Sequence, residues 1–210
     1  MAGLAPAGAA HMRRTVASAA LVIAAMGLGR LINDHVPLGD SADRPFVSTG
    51  EVGRPVVLDY AEVTVTAVHV TPTVMGNPAS ASGGRWLVVD TELLARTRPT
   101  LMSGFFLVDA QDHRWIASTR GSECASSASL STGVRHYASF CFDVPRRALG
   151  GARLVATRGA WTSHESEFRR DAVADVDLGI AGSEVDDLWA QQEPLDVRES
   201  GPVPPGEARR

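Results

Sequence analysis

The 210-residue chain contains no lysine; all twenty of its basic residues are arginine. That absence excludes Schiff-base catalysis by a side-chain amine and the phosphate-gripping lysine of a Walker-type loop. Cysteine is scarce as well. Cys124 and Cys141 are the only two, and they do not form a C-x-x-C pair, so a dithiol redox centre has no footing. No G-x-S-x-G turn is present to hold a hydrolase serine. No acidic residue precedes Asp34. Beyond Arg30 the balance reverses: seventeen arginines face twenty-four acids, a net of −7. A domain of that sign without a basic stripe is a poor nucleic-acid binder, because phosphate neutralisation supplies most non-specific affinity. Abundant Ala, Gly and Arg without lysine is the bias of a GC-rich genome, of actinobacterial type.

One long run that is both uncharged and mostly apolar is present, residues 15–29, directly after Arg13 and Arg14. A cleaved secretory leader needs about 7–15 apolar residues after a basic start. A membrane-crossing helix needs about 17–25, reached here only if Leu31 and Ile32 are included and Arg30 extends its guanidinium to the interface. Residues 15–32 therefore read as a signal-anchor or a signal peptide. Gly27-Leu28-Gly29 is the small-x-small candidate for cleavage. A buried helix of a soluble domain is the third possibility at this length. In the first two cases the arginine pair keeps residues 1–14 in the cytoplasm and the remainder is exported. An isolated cysteine pair in an oxidising compartment is most simply a disulfide, so Cys124 and Cys141 are expected to be bonded.

Residues 33–53 are polar and punctuated by proline and glycine, and read as a linker. From residue 54 to about 180 the pattern is short strands separated by turns. Residues 56–58 suggest an edge strand. In residues 61–70, Val63 and Val65 share one phase while Val68 and Val70 fall on the other, which predicts a β-bulge. Residues 71–84 read as a long exposed loop. Residues 86–94 place Leu87, Val89, Thr91 and Leu93 on one face, with Asp90 and Glu92 on the other. Residues 105–109 and 114–118 flank a polar tetrapeptide as a hairpin would. In residues 134–144, Phe140, Phe142 and Val144 oppose Tyr137, Ser139 and Cys141, until Pro145 removes a ladder donor. Residues 152–158 and 172–178 supply two more strands. Ser183 with Asp186 offers a capping box for a short helix through Gln192. From Pro194 the chain is charged and proline-rich and reads as a disordered tail, so residues 181–210 are assigned to a short helix and tail. The expected class is all-β: an immunoglobulin-like antiparallel β-sandwich at residues 54–180, preceded by one hydrophobic helix.

Several of these segments carry a resemblance. They are Val63-Thr64-Val65 with Val68, Trp86-Leu87-Val88-Val89-Asp90, and Phe105-Phe106-Leu107-Val108-Asp109. Leu130 with Gly133 and Phe142-Asp143-Val144-Pro145 continue the pattern. Across residues 54–158 the chain resembles exported bacterial immunoglobulin-like domains of unknown function. In general pattern it is similar to the mycobacterial secreted immunogenic antigens of that fold. It departs from them at Asp112-His113, where the hairpin usually carries glycine, and at Thr132, where proline usually precedes the turn glycine. The resemblance implies an extracytoplasmic sandwich and no enzymatic activity.

Candidate chemistry is sparse. His35, His69, His113, His136 and His164 show no i, i+2 or i, i+4 pairing, so no metal site is expected. His69 and His136 read as a surface pair on neighbouring strands. Asp109, Asp112 and His113 read as a solvated turn in which aspartate bonds the local backbone, in preference to an oxygen-rich ion site. Asp90 and Glu92 read as outward-facing acids. Since Phe140 and Phe142 face the core, Cys141 faces outward, and its bond to Cys124 would pin the serine-rich loop over the outer face of one sheet. Of the tryptophans, Trp115 is expected to pack and Trp161, in a polar stretch, to offer a contact surface. No catalytic residue, cofactor or metal ligand is assigned. The expectation is a membrane-anchored, non-enzymatic interaction module outside the cytoplasm, touching the membrane through residues 15–32 and an unknown protein or envelope component through its loops or a sheet edge. A cleaved, secreted form of the module and an exported hydrolase are the alternatives.

Overall fold

The computed structural model describes residues 20–31, 45–121, 123–159 and 171–204. The chain divides into two compact units, Met1–Arg44 and Pro45–Arg210. The first contains one described helix, α1, at residues 20–31. Among the described residues no helix is long and apolar enough to cross a membrane. Arg13, Arg14 and the rest of the expected leader lie outside the described residues.

The second unit forms the expected all-β sandwich. Its smaller sheet contains β1 (Phe46–Glu51), β6 (Gly104–Val108), β7 (Arg114–Ile116), β10 (Arg153–Thr157) and β11 (Ala172–Asp177), in the order β1-β11-β10-β6-β7. The larger is built on β3 (Ala61–Met75), β4 (Ser80–Ala95) and β9 (Arg135–Val144). The short strands β2 (Val56–Val57) and β12 (Leu195–Asp196) pair with β3, and β13 (Gly201–Pro202) pairs with β9. A separate ribbon joins β5 (Thr100–Met102) to β8 (Ala128–Leu130).

The main core lies between the two sheets. Val63, Val65, Leu87, Val89, Leu93, Phe140 and Phe142 of the larger sheet meet Phe105, Leu107, Leu154, Ala174 and Val176 of the smaller. Phe105 and Phe140 stack across the interface with centroids 3.6 Å apart. Full burial of side chains of this size is worth about 1.5–3 kcal/mol each. The bulge expected in β3 falls between Val65 and Ala67. It switches the strand's phase, so that Val68 and Val70 pair with Val89 and Leu87 on the core side. At Gly104 an added Cβ would sit 2.0 Å from the carbonyl oxygen of Gly159, so only glycine lets these two backbones approach.

Several expectations need correction. Residues 71–84 are not a long loop: β3 runs to Met75 and β4 starts at Ser80, with Thr73 opposite Ala81. Pro72 is accommodated at a second register shift, where a missing donor costs no ladder bond. The linker assigned to residues 33–53 includes β1, which pairs in parallel with β11, so the sandwich is not purely antiparallel. The short helix α2 spans Glu184–Trp189 and ends before Gln192; Ser183 takes a helical conformation and makes no side-chain cap. The tail expected to be disordered from Pro194 instead carries β12 and β13, and Val197 is buried.

Candidate functional site: the outer face of the larger sheet

Strand alternation leaves the larger sheet with one face outside the main core. Trp86, Val88, Asp90 and Glu92 of β4 lie on it, beside His69 of β3 and Tyr137, Ser139 and Cys141 of β9. Half of this face is apolar. Val74, Trp86, Val88, Cys124, Cys141 and Val197 form a second buried cluster, separate from the main core. Cys124 and Cys141 are bonded, with Cα atoms 5.6 Å apart. As expected, the bond pins the serine-rich loop over this face. Ser118 N donates to Cys141 O (2.7 Å) and Ala125 N to Ser139 O (2.8 Å), which closes that rim of the sheet.

The other half is polar. Ser139 Oγ donates to Asp90 Oδ1 at 2.6 Å, and Tyr137 OH lies 3.0 Å from the same Oγ. His69 Nε2 stands 3.3 Å from Asp90 Oδ2. Burial works to raise the Asp90 carboxyl, but hydrogen bonds from His69, Ser139 and Tyr137 outweigh it and hold the group below its ordinary range. The bond to Asp90 lifts His69 above the usual imidazole value, against the effect of burial. Burial pushes the Tyr137 phenol up to about 12. The order of this chain is serine, aspartate, histidine. A hydrolase needs histidine between the other two, and Ser139 is fully buried. Glu92 pairs with Arg135 at 3.1 Å, so the two outward acids each have their own partner and do not act together. His69 and His136 are not a surface pair. They lie on β3 and β9 with β4 between them, and burial on the opposite face pushes the His136 imidazole down.

A strap crosses this face. After α2, Leu195–Asp196 lies parallel to Val74–Met75 at one rim. Val197 then enters the cluster above the disulfide, and the Arg198 guanidinium sits 4.9 Å from the Tyr137 ring centre. At the other rim Gly201–Pro202 runs antiparallel to His136–Tyr137, and Val203 N donates to Arg135 O at 2.9 Å. Composition concealed the strap: its only local sign is the alternation Leu195, Val197 inside a charged, proline-rich stretch.

Elsewhere the hairpin turn bonds its local backbone as expected, but its first aspartate is not solvated. Asp109 is fully buried, and its carboxylate accepts Gln111 N and His113 N at 2.9 Å each, with His113 Nδ1 at 3.0 Å. Asp112 takes φ 61°, the left-handed conformation for which glycine is usual. Among the described residues no group of three or more His, Cys, Asp or Glu could hold a metal ion. An open hollow of about 500 Å³ between Arg146, Arg147, Gly150, Gly182, Val185 and Asp186 is spanned by the water-exposed Arg146–Asp186 pair. Trp115 packs on the main core; Trp161, the expected contact residue, lies outside the described residues. A clamp that sequence reading missed ties Tyr60 to Arg158, Asp171 and Ala172. Tyr60 OH donates to Ala172 O (2.7 Å) and accepts Arg158 N (3.2 Å), while Arg158 pairs with Asp171 and lies over the Tyr60 ring.

No protein-family model matches the chain, and no curated protein matches it in sequence. Among solved structures it is similar to the yjhA protein of Bacillus subtilis, at 13% identity and TM-score 0.43, covering 61% of this chain and 99% of that one. It is also similar to the ycdA protein of Bacillus subtilis, at 13% identity and TM-score 0.40, covering 59% of this chain but 38% of that one. An uncharacterised β-sandwich protein of Clostridium difficile is similar at 9% identity and TM-score 0.32, covering 63% and 96%. The fold assignment rests on the sheets of this chain itself.

Proposed function

We propose that the chain is a non-enzymatic binding module that works outside the cytoplasm and recruits a protein partner by strand addition to a sheet edge. Residues 15–32 either remain as a signal-anchor or are removed as a signal peptide. The observation that carries the binding role is β1. Among the described residues this edge strand is paired on one side only, by β11. Phe46 and Val47 are 70% and 54% exposed, and within the strand no charge appears before Glu51. Natural edge strands are normally blunted by charge, proline or a bulge, and an unblunted one is a template for another strand. The Cys124–Cys141 bond supports the location, since such bonds persist in oxidising compartments.

Two measurements test this. A reporter fused behind Gly133 should be active only outside the cytoplasm; activity confined to the cytosol refutes the location. The full chain should capture a defined partner from native envelopes, and Val47→Lys should lose that partner while keeping the wild-type melting temperature. Equal capture by both proteins refutes the role of the edge.

A further inference from the structure

We infer that the outer face of the larger sheet is a docking groove for an extended peptide, at present occupied by the chain's own strap. It lies on the other sheet from β1, so it stands or falls separately from the edge-strand reading.

The strap is attached in the way a bound peptide is. It passes over the face from rim to rim, and its backbone is laddered only at the rims, Leu195–Asp196 on β3 and Gly201–Pro202, with Val203 N, on β9. Between the rims, side chains make the described contacts: Val197 enters the cluster of Trp86, Val88 and the disulfide, and Arg198 covers the Tyr137 ring. Ser200 Oγ is buried without a hydrogen-bond partner, so the fit is imperfect at one position. No residue of the helix that leads into the strap is fully buried, although Val185, Leu188 and Trp189 pack in part against the main core. A segment held by few apolar contacts and short ladders opens locally at far lower cost than the domain unfolds.

The occupant also defines the chemistry of what could replace it. The groove offers an aliphatic slot over the disulfide, then an aromatic face beside the Asp90 carboxylate. The matching partner is an extended segment with two aliphatic side chains two residues apart, followed directly by a cation, as in Leu195, Val197 and Arg198. Uncovered, the groove would expose Trp86, Val88 and two rim segments of unpaired backbone, a combination that recruits strands.

The test uses the full chain and a fluorescent peptide of residues 191–204. A tethered strap competes at an effective concentration of about millimolar. The wild-type chain should therefore bind the peptide weakly, and Val197→Asp, which loosens the strap and leaves the groove intact, at least tenfold more tightly. Peptides carrying Val197→Asp or Arg198→Glu should lose that gain. Far-ultraviolet circular dichroism, which reads the sheets rather than the strap, confirms that the loosened protein is folded. Should it not fold, a protease site inserted after Gln191 and cut after folding gives a nicked protein, whose severed strap should exchange for the labelled peptide. Equal binding to wild type and Val197→Asp, no loss with the altered peptides, or a severed strap that does not exchange would each overturn the inference.

Discussion

Replacing Asp109 by alanine tests whether the hairpin is held by one buried carboxylate. That side chain is fully buried and accepts two backbone N–H groups at 2.9 Å, with the His113 ring at 3.0 Å. Hydrogen bonds to a charged acceptor are worth about 1.5–3 kcal/mol each when made. The freed donors lie at a turn that water can reach, so the net cost is about 3 kcal/mol rather than the sum. For a domain of this size that lowers Tm by roughly 6–12 °C. Burial works to raise the Asp109 carboxyl, but its hydrogen bonds outweigh that and hold it below the ordinary carboxylate range. A group depressed on folding contributes fully above its unfolded value, about 3.9, and its contribution is lost as pH falls through the folded value. Urea denaturation followed by tryptophan fluorescence, with Trp115 two residues from His113, should therefore show a large gap between wild type and Asp109→Ala at pH 7. The gap should shrink steadily below pH 4. A loss under 0.5 kcal/mol, or a gap unchanged at pH 3, refutes the reasoning.

Cys124→Ser with Cys141→Ser opens a loop closed across a separation of 17 residues; chemical denaturation should show a loss of about 3 kcal/mol in the chain-entropy model. His69 is raised by Asp90, so its contribution is complete below its unfolded value, about 6.5, and disappears as pH rises through the folded one. An NMR titration should place the His69 midpoint above that of Asp90→Asn, and equal midpoints would remove the pair from the account. Tyr60→Phe keeps the ring under Arg158 and deletes bonds at 2.7 and 3.2 Å; chemical denaturation should show a loss of about 1–2 kcal/mol.

The parts of the fold that were legible are those written in local alternation. Residues 86–94 and 134–144 could be assigned face by face because each has one face in the main core, marked by Leu87, Val89 and Leu93 or by Phe140, Phe142 and Val144. The bulge in β3 was legible for the same reason, since a phase change in valines has few other causes. The outward face of Cys141 followed from its neighbours Phe140 and Phe142. What escaped was pairing at a distance. Phe46–Glu51 is unremarkable until Ala172–Asp177 lies beside it, and no local pattern announces a parallel partner. The strap escaped because charge and proline were read as a failure to bury surface. Leu195 and Val197 need only a small groove, supplied by residues more than fifty positions away. The Asp90 network was half legible: the face was right, but the partners belong to strands on either side.

The pairing of β1 with β11 sets an order of events. Phe46 meets Ala172, a separation of 126 residues, and no nearer strand completes that edge. On the proposed export route, a chain drawn through a membrane channel behind residues 15–32 presents β1 early and β11 near the end. The first strand to emerge must therefore wait, unzipped and greasy at its tip, until nearly the whole polypeptide has arrived. Contacts this far apart in sequence make for slow closure and a long window for misassembly. The edge proposed to recruit a partner in the finished protein is thus also the one most in need of an escort while the protein is being delivered.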